Sequence, residues 1–448
     1  MVAVTVPHRM ADLDCASART QAPADTVSIH AIWLFDTALS DATLDRFHQQ
    51  LRRGVLGRVA ARPYLGAAGD RWVRARRFAP VERYAGALPR EHVTDWIAER
   101  ARGELDTYGG PAWRLSVTDL DGGGSAVSLL VSHTLTDGLA LIRALEDAAA
   151  PAPGEWSFES DRAGRLRLFC SDLLAAVRRL VALLPALPTV ARFISESRQQ
   201  PHHGSAAPPP MPQPATPTTD FTLPFVLAVV PADQWRKQAE ARGGNDASLA
   251  VAVMAELATR VGRTDAQGRA KIAMPVSVRE PGQDTRGNAL GAIDLLVDRT
   301  GGNDDLAEIR AEVKRKLQRR EADGRAYAAL LELALVLPPS VFRKLARDLT
   351  KDQVTTGCSY VTCQGPTVRM VAGVAATMFS LGLITQRLES LDEVHRSGGY
   401  LFGGFVASDD AVCLRIQGLH PPNPLDRHQL SAAVGSILDG YGLDPVFL

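Results

Sequence analysis

The residues best equipped for chemistry in this chain lie in one run, Val131-Ser132-His133-Thr134-Leu135-Thr136-Asp137-Gly138. An imidazole titrates near neutral pH, so His133 can take a proton from a hydroxyl or amine as it attacks a carbonyl, then return it to the leaving group. Asp137 can accept a hydrogen bond from the ring, or equally pair with a distant arginine and hold the shape of the corner. Gly138 permits close backbone approach, and its N–H opens a helix N-terminus, where negative charge is favoured. By itself the His-x-x-x-Asp-Gly spacing suits a hydrogen-bonded turn histidine as well as a catalytic one.

The flanking sequence fixes where that run must sit. Residues 125–131 (SAVSLLV) are apolar and partly β-branched, which predicts a buried strand, and residues 139–145 (LALIRAL) have the spacing of a helix. A histidine at a strand-to-helix corner is held by regular structure on both sides and can still face a cavity.

The run resembles the His-His-x-x-x-Asp-Gly motif of the chloramphenicol-acetyltransferase-like superfamily, which includes nonribosomal peptide condensation domains. It is most similar to the bacterial wax ester synthase/diacylglycerol acyltransferase branch. Leu105-Asp106 with Pro111-Ala112-Trp113 resembles that branch's Leu-Asp and Pro-Leu-Trp segment, and Gly244-Asn245-Asp246 resembles its Asn-Asp motif opening a helix. Pro275-Val276-Ser277-Val278-Arg279 and Gly287-Asn288 resemble its Pro-Val-Ser-x-Arg and Gly-Asn segments. Four ordered matches are far more specific than any one.

The resemblance implies an α/β fold of two chloramphenicol-acetyltransferase-like lobes, forming a V-shaped pseudo-dimer with a central channel. It implies an acyltransferase that moves an acyl group from a thioester, acyl-CoA or a phosphopantetheinyl carrier protein, to a hydroxyl acceptor on a small molecule or lipid. His133 is the expected general base, and the N–H of Gly138 is the expected oxyanion donor. Asp137 is expected to be structural, with Arg279 nominated as its partner across the lobes. Asn245 and Asn288 are expected to line the substrate channel. No permanently bound cofactor or metal is implied.

Two features depart from the pattern. Ser132 stands where the motif has its first histidine, a supporting position. Residues 359–366 (SYVTCQGP) only loosely resemble the branch's Ser-Asn-Val-x-Gly-Pro loop. These departures leave open an amide-forming condensation enzyme of a natural-product pathway, and a catalytically degenerate binding or scaffold member.

Composition narrows the remaining classes. Fifty lysines and arginines balance fifty aspartates and glutamates, so there is no global field for nucleic acid. Five scattered cysteines do not form a disulfide framework and read as reduced thiols of a cytosolic protein. The N-terminus has no apolar core of a signal peptide, and no run reaches the length of a membrane span.

Along the chain, residues 1–24 read as a flexible polar tail, 25–199 as an N-terminal lobe, 200–220 as a proline-rich linker and 221–448 as a C-terminal lobe. Residues 26–35 predict a strand, followed by a helix capped by Ser40; His30 and His48 read as packing residues. Residues 121–124 (DGGG) predict a hairpin turn, and the arginines in 71–77 a solvated strand face, with a phosphate patch as the alternative. Residues 165–198 carry an apolar stripe punctuated by arginines and ended by Pro185 and Pro188. That stripe reads as a core-facing helix, with a membrane-surface helix as the sharper alternative, giving peripheral membrane contact. In the second half, separate helices are expected over 304–320, 325–337 and 340–350.

Overall fold

The computed structural model describes residues 4–6, 9–21, 27–150, 156–158, 163–199, 222–280, 284–299, 305–338, 340–341, 355–363, 365–385, 394 and 398–448. The proline-rich linker, and all but the start of the helix expected over 340–350, lie outside the described residues.

The strands of the first half are β1 (Val4–Val6), β2 (Val27–Phe35), β3 (Arg58–Ala61), β4 (Arg71–Arg74), β5 (Glu82–Leu88), β6 (Trp113–Leu120), β7 (Ser125–Ser132) and β8 (Trp156–Phe158). Its helices are α1 (Asp12–Gln21), α2 (Asp41–Arg53), α3 (Val93–Arg100), α4 (Gly138–Ala149) and α5 (Arg165–Gln199). The second half supplies β9 (Phe225–Pro231), β10 (Arg269–Ser277), β11 (Leu290–Asp298), β12 (Thr356–Thr362), β13 (Met370–Val371), β14 (Val374–Ala375), β15 (Met378–Thr385), β16 (Tyr400–Ala407), β17 (Ala411–Leu419) and β18 (Val446–Phe447). Its helices are α6 (Ala232–Ala241), α7 (Asp246–Arg260), α8 (Ala307–Val336) and α9 (Arg427–Gly440).

Two sheets organise these elements: a five-stranded one ordered β15-β2-β7-β6-β5, and a seven-stranded one ordered β11-β10-β12-β16-β17-β9-β18. β2 and β7 are apolar on both faces because both faces are covered. Trp33 and Phe35 join Phe47, Leu51, Leu141 and Leu145 in the first core. Ile32 and Leu34, on the opposite face, pack with Trp96, Ile97, Phe225 and Leu227, so the second half of the chain closes over the first sheet. In the second lobe α7 is buried from Ser248 to Ala255, as a helix apolar on nearly every side must be.

Several expectations hold in detail. The Ser40 side chain accepts from the Thr43 N–H and caps α2. β6 and β7 pair antiparallel across a turn in which Gly122, Gly123 and Gly124 all have positive φ. His30 is a packing residue: Nε2 lies 2.7 Å from Ser128 Oγ and Nδ1 accepts from Arg415 Nη1 at 3.2 Å. Burial lowers its pKa well below the usual value, so the ring is neutral.

Others are corrected. Residues 12–21, expected in a flexible tail, form α1, which buries Asp14, Cys15, Ala16, Ala18 and Gln21. Residues 307–336, expected as two helices, form one, and Pro185 and Pro188 lie inside α5 instead of ending it. Of the arginine run, Arg71 is buried against Asp172 at 3.2 Å, while Arg74, Arg76 and Arg77 are exposed. The division at 221–448 is also incomplete. β15 leaves the second half and pairs with β2 from Met378↔Leu34 to Thr385↔Val27, making it an edge of the first sheet.

Candidate active site

His133 follows directly on β7. Its main-chain N–H donates to the Val27 carbonyl at 3.0 Å, extending the β-ladder by one bond before the chain turns at Leu135 N–H to Ser132 O, 3.0 Å. Ser132 is fully buried beneath the corner. Its Oγ lies 2.8 Å from Thr107 Oγ1 and accepts from the Thr134 N–H at 3.2 Å. Its hydroxyl thus ties the corner to residue 107.

The His133 side chain is half-buried and lines a cavity of about 470 Å³. The first lobe contributes Ile29, His133, Gly138 and Leu139, and the edge strand β15 contributes Leu381 and Leu383. The facing wall comes from β10, β11, β12 and β16, including Pro275, Leu290, Tyr360, Phe402 and Phe405. A cavity of this size with mainly apolar walls and few polar groups is typical of a small-molecule site. Burial lowers the His133 pKa from 6.5; contact with its own main-chain carbonyl, the charge of Asp137 and the Asn288 side chain oppose that shift.

Asp137 is fully occupied elsewhere. Oδ1 accepts from the Ala140 N–H at 2.7 Å, capping α4. Oδ2 accepts from Arg279 Nη2 at 2.7 Å and from the Ala289 N–H at 2.9 Å. Both ends of the Asp137–Arg279 pair are buried, and it crosses between the two halves of the chain. Among the described residues nothing accepts from the N–H of Gly138, the first residue of α4, which lies on the cavity wall.

The two asparagines do not line the cavity. Asn288 is 4% exposed, and its Nδ2 donates to the carbonyls of His133 at 2.9 Å and Thr134 at 3.2 Å. It is a clamp from the second half onto the backbone of the corner that carries His133. Asn245 is exposed and caps α7 in a capping box with Ser248, because an amide oxygen at that position satisfies an orphan N–H. Its neighbour Asp246 accepts from the hydroxyl of Tyr360, a cavity-lining residue, at 3.2 Å. Burial and Asp246 push the Tyr360 pKa up, so the phenol stays protonated.

Sequence reasoning missed Asp14 and Arg58. Asp14 accepts from the N–H groups of Gly287 at 2.9 Å and Asn288 at 2.6 Å, and from Asn288 Nδ2 at 3.0 Å. Arg58 donates to Leu135 O at 2.7 Å and to Thr285 O at 2.8 Å, with its guanidinium 4.0 Å from the Trp72 ring centroid. Together they tie residues 285–288 to the corner after His133. Neither carried a sequence signal, since Asp14 sits among small residues and Arg58 in a short strand.

Burial raises the Asp14 pKa to about 6, with Arg58 and the hydrogen bonds from Gly287 and Asn288 opposing. A carboxyl raised in the folded state contributes stability that is full below its unfolded value and lost as pH rises through about 6. Asp14→Ala also orphans buried N–H groups, at about 1–3 kcal/mol each. Thermal unfolding should find the variant less stable, with the deficit largest near pH 4 and narrowing by roughly 3 kcal/mol toward pH 7. A deficit that widens with pH would contradict this assignment.

No protein-family model matches the sequence, and no curated protein matches it significantly. Solved structures do share its fold. The first condensation domain of the calcium-dependent antibiotic synthetase, in complex with a substrate analogue, is 14% identical over 97% of this chain and 95% of that one, with a TM-score of 0.57. The condensation domain of the monacolin K polyketide synthase is 12% identical over 97% and 96%, with a TM-score of 0.56. The wax ester synthase/diacylglycerol acyltransferase from Marinobacter aquaeolei is 15% identical over 98% and 100%, with a TM-score of 0.54. The chain therefore has the two-lobed α/β fold of these proteins.

Proposed function

We propose that this chain is an acyltransferase that moves an acyl group from a thioester, on CoA or a phosphopantetheinyl carrier protein, to a hydroxyl acceptor. The observation that carries the reading is that a neutral imidazole and an open helix N-terminus share one largely apolar cavity at the seam of the two lobes. The His133 imidazole removes the hydroxyl proton as the acceptor oxygen attacks the thioester carbonyl. The tetrahedral oxyanion lies beside the N–H of Gly138, where the helix dipole favours negative charge. Collapse breaks the C–S bond, and the imidazolium returns its proton to the departing thiolate, leaving ester and free thiol.

Transfer is direct in this scheme. The buried thiols offer no competing nucleophile: burial raises Cys363 to about 12 and Cys413 to about 11, so neither ionises near neutral pH.

The test supplies acyl-CoA and acylated carrier protein, each with alcohol and with amine acceptors, and follows thiol release and product. Ester formation supports the proposal. Amide formation alone would replace it with a condensation reaction, and no acceptor-dependent thiol release from either donor would overturn it. Because burial lowers the His133 pKa, the base stays neutral to more acid pH than a free histidine. The acid limb of kcat/KM should accordingly fall at a pH below 6.5, and a limb above that value would show another group in the role.

A further inference from the structure

α5 turns an apolar face to solvent. Leu166, Leu173, Val177 and Leu184 repeat along one line of the helix, with Leu166 76% and Leu184 66% exposed. Phe169, Leu174, Leu180 and Val181 widen the line, and at 3.6 residues per turn the whole stripe spans about 140° of the helix surface. The side that adjoins the stripe next to Phe169 is anchored to the protein through Ala176, Leu183 and Asp172. The stripe expected to face the core thus faces outward.

The exposed charges carried by the helix between residues 165 and 185 have one sign. Arg165, Arg167 and Arg178 are exposed. The only acid between residues 165 and 185 is Asp172, which is buried and accepts from Arg9 at 2.9 Å, Arg71 at 3.2 Å and the Tyr64 N–H at 2.8 Å. In a chain whose formal charge is zero, this is a local arrangement. Beside Leu174 lies a cavity of about 400 Å³ lined by Arg9, Ser171, Arg178 and Arg179, with Glu332 as its one carboxylate.

We propose that the exposed face of α5 docks on an anionic phospholipid bilayer, with the leucine stripe entering the headgroup boundary and the flanking arginines meeting lipid phosphates. An apolar stripe edged by unopposed cations is the composition of helices that lie in that boundary. A second copy of the chain is a poorer occupant, since pairing two such faces would bring arginines together with no exposed acid on this stretch of either helix and one carboxylate, Glu332, beside it. No described helix is long and apolar enough to cross a bilayer, so the contact is peripheral. The inference is independent of the acyl-transfer reading.

The test is sedimentation of the full chain with phosphatidylcholine vesicles and with vesicles that also contain phosphatidylglycerol, at low and high salt. Binding to the phosphatidylglycerol vesicles, weakened by salt, is expected. Leu173→Glu and Val177→Glu, both at exposed positions, should each weaken it at least about tenfold, with unchanged circular dichroism. Arg167→Gln and Arg178→Gln should weaken it about fivefold each. No vesicle binding, binding indifferent to Leu173→Glu, or a solution dimer that Leu173→Glu converts to monomer would each overturn the proposal.

Discussion

His133→Ala is expected to lower thioester-dependent acyl transfer by roughly 10²–10⁴-fold, the usual contribution of a positioned general base. The fold should survive, because what ties this residue into the structure is its backbone. The main-chain N–H donates to Val27 and the carbonyl accepts from Asn288, and an alanine keeps both bonds. The ring itself lines a cavity, so its removal chiefly enlarges existing space. The readout is thiol release with acyl-CoA or acylated carrier protein, beside circular dichroism and Tm. Wild-type turnover in a folded variant would exclude His133 as the base.

Much of this arrangement was legible in the sequence because its signals are local. The Ser40 cap, the tri-glycine turn and the strand-to-helix corner each depend on residues a few positions apart. The Asp137–Arg279 pair could be nominated only through a family resemblance, since no spacing rule joins residues on different lobes. The asparagines were misassigned because one side-chain chemistry serves several purposes: an amide that can line a channel can equally cap a helix or clamp a carbonyl. α1 escaped notice because it buries Asp14, Cys15 and alanines, and hydropathy registers bulk. An apolar run such as that of β15 carries no label for its partner, and here the partner is β2. The stripe of α5 shows the same limit, since periodicity finds an apolar face without saying whether protein or solvent meets it.

Asp137→Ala should be the most destabilising single substitution at the corner. Breaking a buried pair from one side costs up to about 3–5 kcal/mol, and Arg279 would keep only its longer contact to the Asp284 carboxylate, 3.6 Å. Here the loss goes further. The Ala140 N–H loses its cap, worth about 1 kcal/mol, and the Ala289 N–H loses its acceptor. Arg279→Met should cost less, because Asp137 would keep two backbone donors. The carbonyls of Asp284, Arg286 and Gly287 that the guanidinium now serves would lose theirs. The double variant should be markedly more stable than the sum of the singles predicts, since no charge is then stranded. Tm and urea midpoints of the four proteins complete the cycle. Activity measured well below each Tm adds a second readout: kcat should fall in both single variants, and Asp137→Ala, which removes a charge that raises the His133 pKa, should also move the acid limb to lower pH. Additive losses would mean that the two side chains stabilise the lobes independently, and that Asp137 does not hold the corner through Arg279.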